Sequence, residues 1–374
     1  MDESSAPKDR PTVSLIVPTY HEAENLPELI ERIEGVRDAN GLDIEVLIMD
    51  DNSRDGTEEA VAKLARPWAR VVTRTENRGL SAAVVDGFRL AKNDVLIVMD
   101  ADLSHPPEKI PEMLDALAQG HDFVLGSRYT AGGSTDEGWG LFRAINSRIA
   151  TLLARPFTSV KDPMSGFFAF QRSSLETAAP LNPIGYKIGL EILVKCNCRN
   201  ACEVPIHFSK RRHGKSKLSL QEQLRYLQHL RRLAVFKYGN WAHFVQFAAV
   251  GFSGTIVNLA VLTILLWIGV PIEVAVALAI FISMLSNFGL NRRITFSYAR
   301  GGSFWLQLVG FLGASSIGAV VNYATVMAVL RAWPALERIP QIASMVGILA
   351  GLLFNYFASR YFVFVKPHRD RGPK

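Results

Sequence analysis

Hydrophobic and polar positions divide this chain into two unlike halves. In the first, short apolar runs alternate with amphipathic stretches. Val13-Ser-Leu-Ile-Val17 is an apolar run closed by Pro18 and reads as a buried strand. From Glu24 to Ile33, Leu26, Leu29, Ile30 and Ile33 share one face, which predicts a helix. The alternation continues with a strand over 44–49, a helix over 57–64, a strand over 70–73, a helix over 79–90 and a strand over 95–99. Strand and helix in turn predict an α/β sheet, mostly parallel, with helices on both faces.

From about Trp241 to Val365 the pattern changes to long apolar stretches, near 243–268, 271–291, 305–331 and 339–365. Each supplies the roughly 20 residues that a bilayer-spanning helix needs. Buried core helices are the alternative reading, and four such stretches in succession with so few charges weigh against it. The unit repeats. Val257-Asn258 recurs as Val321-Asn322, and Asn287-Phe288, Arg292 and Phe296 recur as Asn355-Tyr356, Arg360 and Phe364. A pair of spans used twice makes the repeats parallel. Asn258, Asn287, Asn322 and Asn355 are expected to hydrogen-bond across helices.

Basic residues give an orientation. Arg231, Arg232 and Lys237 precede the first span, the first loop has none, and Arg292, Arg293 and Arg300 fill the second. The tail carries Arg360, Lys366, Arg369, Arg371 and Lys374, so both termini are expected in the cytoplasm, although Arg331 and Arg338 sit in the third loop. Between the halves, Leu220, Leu224, Leu227, Leu230, Leu233 and Ala234 recur at helical spacing beside Arg225 and Lys237. This predicts one or two amphipathic helices lying on the cytoplasmic face or docked on the first half. The resulting division is a flexible tail (1–11), an α/β domain (12–218), interface helices (219–240), four transmembrane helices (241–366) and a cytoplasmic tail (367–374).

Charge refines this picture. The net charge is +6 and the pI about 9.2. The excess sits at Lys210–Lys217, at Arg225–Lys237 and between the apolar stretches, which suits a membrane surface or a phosphorylated substrate rather than nucleic acid. Cys196, Cys198 and Cys202 are an odd, clustered set without a second ligand pair at zinc spacing, and they read as reduced thiols near a strand. The polar first twelve residues show no secretory signal, which places the first domain on the cytoplasmic side.

In a parallel α/β sheet, ligands bind beyond the carboxyl ends of the strands. Three of those ends carry polar sets: Pro18-Thr-Tyr-His-Glu22, Asp50-Asp51-Asn-Ser-Arg-Asp55 and Asp100-Ala-Asp102. Gly-rich dinucleotide and phosphate-binding loops are absent. Asp100 and Asp102 point to opposite faces if the strand continues, whereas a turn after Met99 brings both to one site. Two carboxylates there suit Mg²⁺ or Mn²⁺ on a pyrophosphate, and capping of the next helix is the alternative role.

Taken in order, Pro18-Thr-Tyr-x-Glu22, Asp50-Asp51-x-Ser-x-Asp55-Gly-Thr, Gly79-Leu-Ser, Asp100-Ala-Asp102-Leu-Ser-His-Pro, Gly126-Ser-Arg128-Tyr, Ser165-Gly-Phe and Asn182-Pro-Ile-Gly-Tyr-Lys resemble the family 2 glycosyltransferases of the GT-A fold. Within that family they most resemble dolichol-phosphate mannose synthases, over residues 12–237. The resemblance implies that Pro18, Tyr20, Glu22 and Asp51 line a nucleoside pocket. It implies that Asp100 and Asp102, with Ala101 between them, hold the metal and the nucleotide sugar. Ser104 stands where some relatives have Gln, which puts its metal role in doubt. Arg128 would face the donor phosphates or sugar, and Arg211 and Lys217 belong to a basic loop that would close over the donor. Arg143 and Ser147, four apart on one helix face, would grip the acceptor phosphate. His105 reads as a turn residue. The membrane half resembles the four-span GtrA-like family.

The implied reaction is inverting transfer of mannose from GDP-mannose to dolichyl or polyprenyl phosphate in a multi-pass cell-membrane enzyme. The cofactor is Mg²⁺ or Mn²⁺, nucleic acid has no part, and the oligomeric state is left open. Transfer of glucose from UDP-glucose to undecaprenyl phosphate is the nearest alternative. A lipid-linked sugar flippase is another. A processive synthase would need Gln-x-x-Arg-Trp, which Gln221-Glu-Gln-Leu-Arg225-Tyr does not match.

Overall fold

A computed structural model describes residues 11–136, 141–209, 220–338 and 340–365. The chain forms two units, Met1–Lys237 and Tyr238–Lys374.

In the first unit the strands are β1 (Val13–Thr19), β2 (Ile44–Asp50), β3 (Ala69–Thr73) and β4 (Val95–Val98), with helices α1 (Leu26–Asn40), α2 (Thr57–Lys63) and α3 (Leu80–Leu90) between them. After them come α4 (Ile110–Ala118), β5 (Phe123–Ser127), β6 (Ser134–Thr135), α5 (Leu141–Ala154), β7 (Phe168–Gln171), α6 (Ile188–Lys195), β8 (Ala201–Pro205), β9 (His207–Phe208) and α7 (Leu220–Tyr238). Seven strands form one sheet in the order β3-β2-β1-β4-β7-β5-β8, and β6 pairs with β9 apart from it. All neighbours in the large sheet are parallel except β7, which runs against β4 and β5.

Both faces are covered, so β1 is buried along its whole length. Val13, Leu15 and Val17 face the layer of α1 and α4, with Leu26, Ile30, Met113 and Leu114. Ile16 faces the layer of α3 and α6, with Val84, Phe88, Ile188 and Ile192. The period of two therefore sends alternate side chains into different cores.

The linking segment docks on the first unit, a role that can stand together with lying on a membrane surface. It is one helix, α7. Leu230 and Leu233 pack against Ala154, Met164 and Leu190, and the Tyr226 hydroxyl donates to the Ala150 carbonyl at 2.7 Å. Leu224 and Leu227 on α7, and Ile145, Ile149 and Leu152 on α5, stay exposed. Cys202 lies on β8, and burial pushes the thiols of Cys196 and Cys198 up to about 11 and about 12, so both stay protonated at neutral pH.

Among the described residues the second unit has four α-helices, α8 (Asn240–Trp267), α9 (Ile272–Leu290), α10 (Phe304–Ala332) and α11 (Pro340–Ala358). Among the described residues, α8 and α10 have the length and hydropathy to cross a bilayer. The repeat is structural as well as sequential. Each hairpin ends in a single π-helical turn, Asn291–Thr295 and Ser359–Val363. The equivalent rings of Phe296 and Phe364 stack at 4.8 Å. The equivalent arginines reach across: Arg292 donates to Gln307 on α10, and Arg360 donates to Asn240 on α8. Each hairpin is thus tied to the start of the other.

At Asn287 and Asn355 the contact the structure records is one of packing. Their Oδ1 atoms have no hydrogen-bond partner among the described residues. Each instead covers a glycine on the facing helix, Asn287 on Gly254 and Asn355 on Gly318, so close that a Cβ at either glycine would overlap the amide. Small residues at such crossings let membrane helices approach. Gly254→Val and Gly318→Val are each expected to destabilise the chain by about 1–3 kcal/mol through overpacking, read as a lower unfolding temperature of the detergent-solubilised protein.

Candidate active site

A cavity of 1460 Å³ opens in the first unit beyond the carboxyl ends of β1, β2, β4 and β5. The loops leaving three of those strands each force a non-glycine residue into the left-handed region: His21 (φ 61), Asn52 (φ 55) and Leu103 (φ 62). Such strain is tolerated where the surroundings hold the loop to a shape.

The first wall carries the expected nucleoside group. Pro18, Tyr20, Glu22 and Asp51 all line the cavity. Tyr20 is exposed to it, with the Arg78 guanidinium 5.3 Å over the ring. Asp51 is buried. One of its oxygens accepts from Arg74 and the other from the Gly79 amide at 2.6 Å, ahead of α3. Arg74 also donates to Asp86 at 2.9 Å and to the Asn77 carbonyl at 2.9 Å, so this network sets the shape of the wall.

The turn after β4 decides the question about the carboxylates. The strand stops at Val98, and Asp100, Ala101 and Asp102 all line the cavity. Ser104 is fully buried behind Asp102 and gives its hydroxyl to Asp102 Oδ1 at 2.5 Å, while its amide donates to the same oxygen at 3.1 Å. His105 does more than shape the turn. Burial lowers its pKa despite the nearby Asp100 and Asp102, which keeps it neutral. Its Nδ1 accepts the Asp100 amide at 3.1 Å, so its proton sits on Nε2, and its ring stacks on Phe167 at 5.5 Å.

Arg128, at the end of β5, faces the same space in a buried pair. Its Nε and Nη2 donate to the two oxygens of Asp162, each at 2.7 Å, and its own amide adds a third bond at 3.1 Å. Burial opposes the guanidinium charge, but the bonds to Asp162 outweigh it and raise the pKa. Behind this pair, the Glu203 carboxylate accepts the amides of Lys161 and Asp162, each at 2.9 Å. Gly133 lies so close that a Cβ would sit 2.5 Å from the Ser127 carbonyl and 2.8 Å from the Arg128 backbone.

The far wall comes from α5, α7 and the segment before α6. The Ser147 hydroxyl is 2.8 Å from that of Tyr129. Lys187 lines the cavity and donates to the Met164 carbonyl at 3.0 Å. Burial, then the charge of Arg128, push its pKa down to about 8. Arg143 lies on α5, but its side chain is outside the described residues, as are Arg211 and Lys217.

The structure thus brings Pro18, Tyr20, Glu22, Asp51, Asp100, Ala101, Asp102, Arg128 and Ser147 to one cavity and leaves Ser104 behind it. Sequence reasoning missed Arg74, Arg78, Asp162 and Lys187 as site residues. Two of them had a signal, since Asp162 lies in Lys161-Asp-Pro-Met-Ser-Gly-Phe and Lys187 closes Asn182-Pro-Ile-Gly-Tyr-Lys.

Residues 14–178 match the glycosyl transferase family 2, and residues 246–369 match the GtrA/DPMS transmembrane domain. A dolichol-phosphate mannosyltransferase of Pyrococcus furiosus is 40% identical over 354 residues, covering 93% of this chain and 98% of its own. The chain belongs to the dolichol-phosphate mannosyltransferase family. It is a glycosyltransferase with a membrane domain of the GtrA/DPMS type. The Saccharomyces cerevisiae member is 43% identical over 251 residues, covering 64% of this chain and 94% of its own. Among solved structures, a glucosyl-3-phosphoglycerate synthase of Mycobacterium tuberculosis aligns at 21% identity and a TM-score of 0.47, over 61% of this chain and 80% of that one.

Two outcomes follow from the site as a member of this family would use it. Asp162→Asn should leave Arg128 buried without the counter-charge of that carboxylate and destabilise the catalytic unit by about 3 kcal/mol, measured by thermal unfolding of the whole chain. Lys187 holds its proton below about pH 8 and loses it above. Its acylation by an amine-directed reagent, followed by peptide mass spectrometry, should therefore reach half-maximum near pH 8, well below the roughly 10.4 of an unperturbed lysine.

Proposed function

We propose that this chain transfers mannose from GDP-mannose to the phosphate of a dolichyl or other polyprenyl lipid, with inversion at the anomeric carbon. The observation that carries the reading is the meeting of Asp100, Asp102 and Arg128 on one cavity in a chain 40% identical to a dolichol-phosphate mannosyltransferase along nearly its whole length.

The nucleoside is received by Pro18, Tyr20, Glu22 and Asp51. The pyrophosphate then lies toward Asp100 and Asp102, because β4 stands next to β1 in the sheet. Two carboxylates on one wall, one of them held by Ser104, are hard oxygen donors that fit Mg²⁺ or Mn²⁺. That ion supplies charge neutralisation for the leaving diphosphate. His105 keeps Asp100 in place through its backbone, and Arg128 presents a permanent positive charge to the developing negative charge. Arg211 and Lys217 complete this set from the basic loop.

No general base is required. A phosphate monoester has its second pKa near 6, so the acceptor is largely dianionic at neutral pH. Its oxygen attacks the anomeric carbon, the bond from that carbon to the diphosphate oxygen breaks, and GDP departs with the electron pair. The chain's task is to hold the two in line. Arg143 and Ser147 position the acceptor phosphate. The exposed apolar faces of α5 and α7, with Arg225, Arg231 and Arg232 beside them, suit a membrane surface where that phosphate emerges. Both termini and the catalytic unit lie in the cytoplasm in this reading.

The test is incubation of the purified chain with Mn²⁺, a polyprenyl phosphate and either GDP-mannose or UDP-glucose, followed by extraction of glycolipid. Mannolipid from GDP-mannose alone is expected, and Asp102→Ala should lower its rate roughly 10²–10³-fold. Product from UDP-glucose alone would overturn the donor. No product from folded, lipid-binding protein would return the weight to a transport role.

A further inference from the structure

Lys187 has no role in the reading above, and its surroundings are unusual for a structural lysine. It is half-buried, and among the described residues its ammonium has one hydrogen bond, to the Met164 carbonyl, and no ion pair. An ammonium withdrawn from water without a counter-charge is costly to keep. Asp162 and Asp100 favour the ammonium, but burial and the charge of Arg128 outweigh them. Arg128 is matched by Asp162, and Asp100 and Asp102 are committed to the cation in the proposed function. The Tyr186 ring lies 4.4 Å from the ammonium, and the single bond to Met164 leaves it N–H donors for a ligand oxygen.

Its position along the sheet indicates which ligand. The nucleoside residues sit at the ends of β1 and β2, the carboxylates follow at β4 and Arg128 at β5. Lys187 stands within reach of the charges of Arg128, Asp162 and Asp100, on the segment that packs with α5, α6 and α7. Met164, whose carbonyl orients it, packs with Ala154 of α5, Leu190 of α6 and Leu230 and Leu233 of α7. The segment that carries Lys187 is tied to α7, with the Ile184 amide 3.4 Å from His229 Nδ1 and Gly185 (φ 75) packed against Glu222 and Arg225. Ser147 of α5 lines the same cavity.

We propose that Lys187 binds the phosphate of the lipid acceptor, with Ser147, and holds it for attack on the donor sugar. The inference rests on the mannosyl-transfer reading for its reaction, and on the packing of its segment with α5 and α7 for its ligand. As an ammonium, Lys187 favours the dianionic phosphate, the form that attacks. No proton needs to move in the step, and the lysine stays charged while the new carbon–oxygen bond forms and GDP leaves.

The experiment uses the full chain in detergent with GDP-mannose and a short-chain polyprenyl phosphate, comparing Lys187→Gln and Lys187→Arg with the unaltered chain. In Lys187→Gln the KM for the polyprenyl phosphate should rise about ten-fold or more, as expected for loss of a charge-assisted contact. Its KM for GDP-mannose should stay within about two-fold, the arginine variant should recover most of the loss, and the unfolding temperature should not fall. Calorimetric titration without donor gives a second readout: Lys187→Gln should weaken the polyprenyl phosphate and leave the corresponding polyprenol unchanged. A rise in the GDP-mannose KM alone, unchanged acceptor binding, or equal weakening of phosphate and alcohol overturns the proposal. If the unaltered chain makes no mannolipid, the proposed function falls and the titration still decides Lys187.

Discussion

A parallel sheet covered on both faces leaves polar side chains one place to gather, the carboxyl ends of its strands. β1 shows the constraint in full. Its apolar side chains alternate between two cores, and polar groups reach the cavity only from its last residue, Thr19, onward. The nucleoside, carboxylate and Arg128 groups of the active site follow from this. Tyr20 and Glu22 lie beyond β1, Asp51 beyond β2, Asp100 and Asp102 beyond β4, and Arg128 beyond β5. The left-handed residues His21, Asn52 and Leu103 turn each loop sharply enough to keep those groups on the cavity.

Charge in the cavity is organised in layers. The carboxylates and cations that touch its space are held by others behind them: Asp51 by Arg74, Asp102 by Ser104, Arg128 by Asp162, and the Asp162 backbone by Glu203. The supporting groups remove the freedom of long side chains before a ligand arrives, which is the condition for electrostatic catalysis without reorganisation. Lys187 departs from that scheme. It has a carbonyl partner and, among the described residues, no ion pair, and its segment packs with α5 and α7.

The membrane unit shows a second economy, duplication. One helical hairpin, ended by a π-helical turn, is used twice, and the copies are joined by the exchange of equivalent contacts. Arg292 and Arg360 each reach the beginning of the other hairpin, and Phe296 and Phe364 stack where the copies meet. The relation between Gly254 and Asn287 is repeated at Gly318 and Asn355.

By itself the sequence determined the alternating architecture, the long apolar helices and their repeat, and the strand-end motifs, because each is written in local periodicity or in residues near one another along the chain. Whether Asp100 and Asp102 share a site was open on periodicity, since it depends on where β4 stops. Whether the linking helix docks was also open, since a leucine stripe fits either partner. The pairing of Arg128 with Asp162 spans 34 positions, and that of Asp51 with Arg74 spans 23. Nothing local marks such partners. The tertiary structure alone assigned them, and it alone set Lys187 against the cavity, because burial and the direction of a side chain are properties of packing rather than of sequence spacing.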